Sequence, residues 1–342
     1  MDQKQSITVL YDAAEDIEKA KADEAGKPFP LAYVQVADAL EKRGHKVKTV
    51  AVTKKIRSLV QVIEKDDSDV IFNLCEAIAS TSQHEHNVAG LLELFEKCFT
   101  GCGSAGWLLA GDKALCKKIF QFHGIRYPRF CTFEKGKVDW ADELDFPMIV
   151  KPLNEDASIG IDAGSVVHNV KELLERISYI HEQFNGATLV EEFIEGREIY
   201  VGLLGNDRPE AFPIVEWDFS NVTGSPKIAG SEAKWDRDSE GYKAPVIFPE
   251  DFPEEVVRGI KEAAITAFQA LKLSGYARVD MRLRPPAESR GWEYFIIEVN
   301  PNCWIEKRAE FAAAARKHGL SYPELLEKIV ELALARRPQT EP

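Results

Sequence analysis

The first hundred residues alternate between two patterns of apolar positions. Three segments have the short apolar or alternating runs of β-strands: SITVLY (6–11), HKVKTVAV (45–52) and DVIFNL (69–74). Residues 33–43 and 54–65 instead carry apolar side chains at helical spacing, and residues 87–97 continue with another amphipathic helix. Because helices separate the successive strands, the pattern predicts a right-handed parallel α/β layer.

The pattern changes near residue 100. Residues 100–106 are small and glycine-rich, and they precede a predicted helix over 107–123 and a turn-rich stretch. The elements predicted beyond it are a strand at 146–152, a loop at 153–164, a helix at 169–184, strands at 188–196 and 197–206, a hairpin of 275–283 with 292–300, and a helix at 321–336. We therefore predict three modules, comprising residues 1–100, 101–188 and 189–337.

The charge balance restricts the classes of partner. The 342 residues include 43 lysines and arginines against 56 aspartates and glutamates, so the net charge is −13. Neither nucleic acid nor an anionic membrane is expected as the main partner of such a chain. The six cysteines lack zinc-site spacing, no apolar run is long enough to span a bilayer, and the N-terminal residues show no signal-peptide pattern. We expect a cytoplasmic protein.

Polar side chains suited to metal binding occur on both strands of the predicted hairpin. Arg278 and Asp280 alternate with apolar residues on one strand, and Glu298 and Asn300 do so on the other. If the strands pair, two carboxylates and an amide oxygen converge, a set that suits Mg²⁺ with phosphate and water as its other ligands. A hairpin with one solvated polar face explains the same alternation, and these residues alone leave both interpretations open.

Three lysines from separate segments are candidates for phosphate binding. Lys151 ends an apolar strand and precedes the loop 153–164, whose small residues let backbone N–H groups approach a phosphate. Lys113 follows the glycine-rich segment, and Lys234 lies in the turn-rich sequence SEAKWD. The loop does not match the P-loop pattern, and each lysine taken singly is better explained as a solvated surface charge.

Taken together, the order of the motifs resembles that of the ATP-grasp enzymes, and most of all the D-alanine–D-alanine ligase group. The matching segments are GSAGWLLAGDKALCKKIF, FPMIVKPLNEDASIG, LVEEFIEGREIYVGLLGN, SEAKWD, GYARVDMRL and IIEVNPN, within a resemblance that runs from about residue 69 to residue 334. The resemblance implies an α/β (α+β) fold of three modules. An N-terminal parallel layer would precede two ATP-grasp modules, the central and the C-terminal one, with ATP bound between them.

The resemblance also implies roles for individual residues. The residues expected to bind ATP are Lys113, Lys151, Glu191, Glu192, Ile194, Glu198 and Lys234. Within this set, Glu191 and Ile194 would lie in the hinge that binds adenine, and Glu198 would hydrogen-bond the ribose. Two Mg²⁺ ions, with Mn²⁺ as a substitute, would be held by Asp280, Glu298 and Asn300. The expected catalytic residues are Arg278, Lys234 and Ser158. Arg278 would stabilise an acyl phosphate and the later oxyanion, and the loop 153–164 would be a flap over the phosphates.

The segments expected to contact the other substrates differ from those of this family. Two adjacent serines in the family's flap correspond to Ala157-Ser158, and a tyrosine after the third lysine corresponds to Trp235. Residues 9–30 lack the glycine- and serine-rich sequence with an acidic residue for the first D-alanine. The segment for the second D-alanine is replaced by PNCWIEKRAEF (301–311). The candidate substrate residues are Trp235, Trp304, Lys307 and Arg308.

These features predict an ATP-dependent, ADP-forming ligase that joins a small-molecule carboxylate to an amine through an acyl phosphate. Its substrates would be amino acids or similar compounds, other than two D-alanines. Two alternatives are a true D-alanine–D-alanine ligase of peptidoglycan synthesis and a non-catalytic nucleotide-binding protein. The resemblance implies a homodimer. His84 and His86 lie at a predicted helix start and are interpreted as substrate-contacting or helix-capping residues rather than zinc ligands.

Overall fold

The computed structural model describes residues 4–16, 31–53, 55–75, 84–134, 137–140, 143–155, 158–222, 227–230, 239–288 and 290–337. The strands in these ranges form three sheets, of which the first is parallel and the other two are antiparallel. Across the same ranges, no helix has both the length and the apolar character needed to cross a membrane.

The first sheet confirms the predicted parallel α/β layer. Its strands are β1 (Ser6–Asp12), β2 (Lys46–Val52) and β3 (Val70–Leu74), in the order β2-β1-β3. The helices of this region are α1 (Ala32–Lys42), α2 (Ile56–Lys65) and α3 (Glu85–Leu94). Strand β1 is buried through Ile7, Val9 and Leu10, since it lies between two other strands and beneath helices.

The second sheet is antiparallel and has the order β5-β4-β8-β6-β7. Its strands are β4 (Phe130–Glu134), β5 (Lys137–Trp140), β6 (Met148–Pro152), β7 (Val166–Val167) and β8 (Thr188–Glu192). Helix α6 (Val170–Phe184) packs on β6 and β8. Strand β8 starts at the predicted module limit and pairs with β4 and β6, so it belongs to this sheet.

The third sheet contains the predicted hairpin. Its strands are β9 (Arg197–Gly205), β10 (Glu210–Ala211), β11 (Val215–Trp217), β12 (Val246–Ile247), β13 (Gly275–Arg284) and β14 (Glu293–Pro301). The order is β12-β11-β9-β13-β14, and β10 also pairs with β9. Helices α7 (Glu254–Ala270), α8 (Glu310–Lys317) and α9 (Tyr322–Ala335) complete this part of the chain.

The predicted helix over 107–123 is wrong as a single element. The structure has two helices, α4 (Ser104–Gly111) and α5 (Lys113–Phe122), which are separated by Asp112. The Asp112 carboxylate accepts hydrogen bonds from the backbone N–H groups of Ala114 and Leu115, and thereby caps a new helix. This cap places Lys113 at the first position of α5. Strands β4 and β5 lie in the stretch expected to be turn-rich, and helices α7 and α8 were not predicted.

The hydrophobic cores connect the first sheet with the third. One cluster includes Leu10 of β1 and Val279 of β13, and another includes Val9 of β1 and Tyr276 of β13. The second sheet has smaller clusters of its own, one of them around Val150. The first and third sheets therefore share continuous apolar packing, whereas the second sheet is a separately packed layer.

Candidate active site

A cavity lies between the second and third sheets. Its apolar lining consists of Ile149, Ile161, Phe193, Ile194, Ile228, Ala229, Met281 and Ile297. Its charged and polar lining consists of Lys113, Lys151, Glu155, Ser158, Glu191, Glu192, Glu198, Asp280, Arg282 and Glu298. Apolar walls with a limited number of charged groups are typical of small-molecule sites, and lysines among them suit a phosphorylated ligand.

The hairpin brings its four polar residues together as predicted. Asp280 lies directly opposite Glu298 in the register of β13 and β14, and Arg278 lies directly opposite Asn300. The Asn300 Nδ2 atom donates to Asp280 Oδ2 at 3.1 Å. Directly opposed residues of an antiparallel pair share one face of the sheet, so two carboxylates, an amide and a guanidinium occupy the same small area.

The donor set of this area fits Mg²⁺ bound together with a phosphate. Among the residues that the structure describes, no group of three or more His, Cys, Asp or Glu side chains is arranged to hold a metal ion alone. Asp280 and Glu298 provide two carboxylates, and Asn300 adds an amide oxygen because its nitrogen is the atom that faces Asp280. Mg²⁺ typically takes one or two carboxylates and completes its octahedron with water and phosphate oxygens.

Lys113 links this area to the predicted flap. Its Nζ atom lies 2.8 Å from Glu298 Oε1 and donates to the backbone oxygen of Glu155 at 2.7 Å. The side chain is almost completely buried, since it lies at the first position of α5 and points into the cavity. An ammonium between the Glu298 carboxylate and the predicted flap is well placed to contact a phosphate.

Lys151 belongs to a buried cluster of three charges. In the register of β6 and β8, Ile149 lies opposite Glu191, so Lys151, two residues further along, faces the same side as Glu191. Lys151 Nζ is 2.7 Å from Glu191 Oε2, and Lys117 Nζ is 2.6 Å from Glu191 Oε1. Lys117 also donates to the backbone oxygen of Ile297, next to Glu298. We call Lys117, Lys151 and Glu191 the buried triad.

The electrostatics of the buried triad depend on one carboxylate shared by two ammonium groups. Burial raises the pKa of Glu191, but the charges of Lys117 and Lys151 outweigh this effect and hold the pKa below its usual value. Burial lowers the pKa of Lys151, since Glu191 compensates only part of the loss of water and Lys117 adds repulsion. The triad carries one positive charge in excess when all three groups are ionised.

Sequence reasoning missed Lys117. A lysine within an amphipathic helix normally faces solvent, and for that reason it gave no separate signal. The available signal was its spacing, because Lys113 and Lys117 are four residues apart and share a face of α5. Since Lys113 points into the cavity, Lys117 points towards the same side.

Arg282 organises the hinge that was predicted to bind adenine. It donates to the backbone oxygens of Ile194, at 3.0 Å, and of Gly196, at 2.9 Å, and it lies 3.2 Å from Glu198 Oε2. The Glu198 carboxylate also accepts from the Tyr200 hydroxyl at 2.8 Å. Glu198, predicted to bind a ribose, is therefore held at the cavity by protein groups, and Arg282, which had no predicted role, fixes the backbone beside it.

Glu192 presents its side chain to a different group of residues. Its carboxylate pairs with Arg129 at 3.2 Å and with Arg284 at 3.0 Å. The residue nevertheless lines the cavity. Ligand binding by Glu192 stays a prediction, and its carboxylate is already occupied by these two guanidinium groups.

The predicted flap makes contacts with both modules of the site. Ser158 has a positive φ of 61°, and its hydroxyl donates to the backbone oxygen of Ala229 at 2.7 Å. Arg176 of α6 holds the other end of the flap through Gly160 O, Asp162 Oδ2 and Ser165 Oγ, at 2.8–3.0 Å. The flap is thus closed against the segment 227–230. Ala157 lies outside the described residues.

Arg278 pairs with the Asp280 carboxylate. It forms two hydrogen bonds with Asp280, at 2.6 and 2.8 Å, and its Nη1 atom is 3.8 Å from Glu310 Oε2. Its guanidinium also lies over the Tyr200 ring at 5.0 Å. Burial opposes the charged form of Arg278, but Asp280 and Glu310 raise its pKa well above the usual value. The guanidinium is therefore a permanent cation beside Asp280.

The predicted substrate residues lie in a different environment. Trp304 lines a small cavity together with Glu15, Asn302 and Cys303, where the first module meets the segment after β14. The motifs shared with the family did not indicate an acidic residue in this cavity, but the structure places Glu15 there. In the sequence, Glu15 was visible only as an acidic residue shortly after β1, within the stretch 9–30 that does not match the family.

The side chains of Lys307 and Arg308 are exposed, and hydrogen bonds of this segment connect it with helix α1 of the first module. The Lys307 N–H donates to Gln35 Oε1 at 3.0 Å, and the Arg308 N–H donates to Glu306 Oε2 at 2.7 Å. Gln35 of α1 also donates to Glu306 Oε1. Substrate binding by these two side chains stays a prediction. Lys234 and Trp235 lie outside the described residues.

One of the two candidate histidines does not make the hydrogen bond that was expected of it. His84 occupies the N-cap position of α3, but its side chain makes no capping hydrogen bond. Its ring lies 3.4 Å from Asn87 Nδ2 instead. Helix capping by His84 is therefore wrong, while a substrate contact of His84 or His86 stays a prediction.

Comparison with known proteins gives matches along most of the chain. A family model described as the D-ala D-ala ligase C-terminus matches residues 119–331. A D-alanine–D-alanine ligase of Desulforudis audaxviator is 31% identical over 88% of this chain and 92% of that protein. The uncharacterized protein y4sG of Sinorhizobium fredii is 28% identical over 91% of this chain and 90% of its own.

A solved structure matches the same fold. It is the D-alanine–D-alanine ligase of Bacillus anthracis complexed with ATP, which superposes with a TM-score of 0.72 at 22% identity. The match covers 97% of this chain and 98% of that structure. At this identity, the likeness establishes the ATP-grasp fold that the motifs predicted.

Proposed function

Since this chain belongs to the D-alanine–D-alanine ligase family, whose members are ATP-dependent, ADP-forming carbon–nitrogen ligases, we propose that it joins two amino acids or similar compounds, other than two D-alanines. The observation that carries the proposal is the arrangement of the cavity. Asp280 and Glu298 lie opposite each other, and Lys113 and Lys151 line the same space. This is the set of charges that ATP and Mg²⁺ require.

In the first step, a substrate carboxylate attacks the γ-phosphorus of ATP and ADP leaves, which gives an acyl phosphate. Both reactants are anionic, so the repulsion between them has to be compensated. Lys113 and Lys151 provide cations from two elements, and Lys234 is proposed to add a third. Asp280, Glu298 and Asn300 would hold two Mg²⁺ ions, which would supply further compensation of the phosphate charge.

In the second step, an amine attacks the acyl carbon. The C–N bond forms while the bond from that carbon to the phosphate oxygen breaks, and the proton of the amine passes to phosphate or solvent. The permanent positive charge of Arg278 would stabilise the oxyanion of the tetrahedral intermediate. The flap, held by Ser158 and Arg176, would exclude water from the reactive acyl phosphate.

The substrate assignment rests on the segments that differ from the family. Trp304 replaces a small residue of the second D-alanine segment and lines a cavity with Glu15. D-Alanine is the main alternative, since the curated relatives carry its name.

The proposal also covers the ions, the location and the assembly. All six cysteines lie in the described ranges and none forms a disulfide, which supports a reducing, cytoplasmic location. The family resemblance implies two Mg²⁺ ions and a homodimer. Calorimetric titration tests the number of ions, and light scattering tests the dimer.

The test is release of ADP and phosphate by the purified protein with ATP and Mg²⁺, against pools of L- and D-amino acids and small carboxylates. Mass spectrometry should find a product equal to acid plus amine minus water. Lys151→Ala and Glu298→Gln should reduce turnover at least 100-fold, whereas the exposed Lys171→Ala should not. Product formed from D-alanine alone would establish the alternative ligase, and ATP binding without turnover would favour a non-catalytic protein.

A further inference from the structure

Glu310 is a charged residue close to the reaction centre that the proposed chemistry does not use. It is the first residue of α8 and belongs to the segment 301–311, which differs from the family segment for the second D-alanine. Its Oε2 atom lies 3.8 Å from Arg278 Nη1, and about a fifth of its side chain is exposed. A second carboxylate therefore faces the guanidinium, in addition to Asp280.

The position of Glu310 is fixed by the packing of the next residue. Gly202 of β9 lies directly opposite Arg278, so both residues belong to the same face of the sheet. A Cβ atom at Gly202 would lie 2.9 Å from the Phe311 ring, and only glycine allows the ring to pack there. Phe311 is buried and also packs against Tyr276. Because Phe311 is anchored beside Arg278, Glu310 is held next to the guanidinium.

The charges around Arg278 are consequently unfavourable for an additional carboxylate. Asp280 and Glu310 both face the Arg278 guanidinium, and where Asp280 serves the metal ions, Glu310 still compensates the positive charge that would attract a substrate carboxylate. An α-amino acid that acts as the amine substrate would bring its own carboxylate next to the reacting amino group. An amine without that carboxylate avoids the repulsion, and its ammonium form is attracted before the proton is lost.

We infer that Glu310 is a specificity-determining residue that selects an amine substrate without a carboxylate beside its amino group. The inference rests on the proposed ligase function and narrows its second substrate to an amine or an amino-acid amide. Specificity of this kind comes from repulsion of the wrong substrate as much as from attraction of the correct one.

The experiment uses hydroxylamine to trap the acyl phosphate as a hydroxamate, so that the first step is measured independently of the natural amine. With ATP, Mg²⁺ and a saturating acid identified from the pools, alanine and alaninamide are then compared as inhibitors and as acceptors, each in both chiral forms. The wild type should use or bind alaninamide at least tenfold better than alanine, as kcat/KM or as an inhibition constant.

Two variants separate specificity from folding. Glu310→Gln keeps the shape but removes the charge, and it should lose at least tenfold of the preference for alaninamide, mainly through KM. Glu254→Gln, in the exposed first turn of α7, is the matched control and should keep the preference. Hydroxamate formation without added amine should stay within about threefold of wild type in Glu254→Gln, and the preference of each variant is expressed relative to its own rate of hydroxamate formation.

The outcomes that overturn the inference are distinct. Equal or better use of alanine by the wild type would show that Glu310 does not exclude a carboxylate and would favour pairing with Lys307 or Arg308. An unchanged preference in Glu310→Gln, or no competition by either amine, would also refute it. Absence of hydroxamate with every acid would refute the ligase function itself, and the inference with it.

Discussion

Replacing Glu191 by glutamine tests the buried triad directly. The substitution keeps the size of the side chain but removes the negative charge that lies 2.6 Å from Lys117 Nζ and 2.7 Å from Lys151 Nζ. All three side chains are almost completely buried, so water cannot replace the lost carboxylate. We expect Glu191→Gln to be among the most destabilising single substitutions in the second sheet.

The magnitude follows from the cost of a buried charge without its partner. Removing one member of a buried ion pair destabilises a protein by roughly 3–5 kcal/mol. Here one carboxylate serves two ammonium groups, so the upper part of that range is expected. A chain of 342 residues has an unfolding entropy of about 0.7 kcal/mol/K, so each kcal/mol shifts the unfolding midpoint by about 1.4 °C, and the midpoint should fall by roughly 6 °C.

The pH dependence of Glu191→Gln has a definite sign. In the wild type, the pKa of Glu191 is below its usual value, so its contribution to stability is present above about pH 4.5 and is lost as the pH falls through the lowered pKa. The pKa of Lys151 is also lowered by burial, and without the Glu191 carboxylate it should fall further. The unfolded variant then binds more protons than the folded one, so its stability rises with pH.

The assay is thermal unfolding at pH 7 and pH 9 without nucleotide. Between pH 7 and pH 9, the difference in the free energy of unfolding between wild type and Glu191→Gln should shrink by at least about 1.4 kcal/mol. This amount corresponds to a shift of one pKa unit. Glu216→Gln is the matched control, because buried Glu216 pairs with Arg197, and Arg197 retains Asp251. It should cost about 1 kcal/mol with little change between the two pH values.

A second variant makes the reasoning refutable even if Glu191→Gln folds poorly. Lys117→Met leaves one carboxylate with one ammonium, and in the Glu191→Gln background it removes one of two unpaired charges. The double variant should therefore be more stable than the sum of the two single effects by at least about 1 kcal/mol. The triad would not be ionised as described if Glu191→Gln lowered the free energy of unfolding by less than about 1 kcal/mol. The same would follow if the effects of Glu191→Gln and Lys117→Met on stability were additive.

Three further predictions concern the groups that hold the site. Arg176→Gln removes the contacts of α6 with the flap, so ADP release without amide product should rise several-fold, and unchanged coupling would contradict the flap assignment. Asp112→Ala removes the cap of α5 and should cost about 1 kcal/mol in thermal unfolding while raising the KM for ATP through Lys113; an unchanged KM would separate the cap from the site. Arg282→Lys cannot reproduce the forked contacts with the hinge, so the KM for ATP should rise about tenfold with a smaller change in kcat, and a loss of kcat alone would argue for a different role.

The hairpin shows what a local pattern can predict. Side chains two residues apart share a face of a strand, so the alternation in GYARVDMRL and EYFIIEVNPN was sufficient to group Arg278 with Asp280, and Glu298 with Asn300. The boundary between α4 and α5 was missed for a related reason, since both helices have apolar positions at helical spacing. Asp112 separates them through its extended backbone and through the side-chain hydrogen bonds with which it caps α5. Periodicity predicts the type of element better than the residue at which it ends.

The buried triad shows what such a pattern cannot predict. Its members come from α5, β6 and β8, and neither spacing nor composition indicates that Lys117 meets Glu191. The same holds for Glu310, whose position depends on a glycine that lies more than a hundred residues earlier in the chain. These contacts arise from tertiary packing, and a sequence pattern treats both charged residues as solvated.

The net charge of the chain gives little indication of the charge at the site. Lys113, Lys117 and Lys151 face the carboxylates of Glu191 and Glu298, which leaves 3 − 2 = +1 where phosphate would bind. Around Arg278, Glu310 compensates the positive charge of the guanidinium even where Asp280 serves the metal ions. The local charge therefore differs between the phosphate end and the amine end, although the whole chain carries −13. An anionic nucleotide and a cationic amine are each attracted to the end where their chemistry takes place.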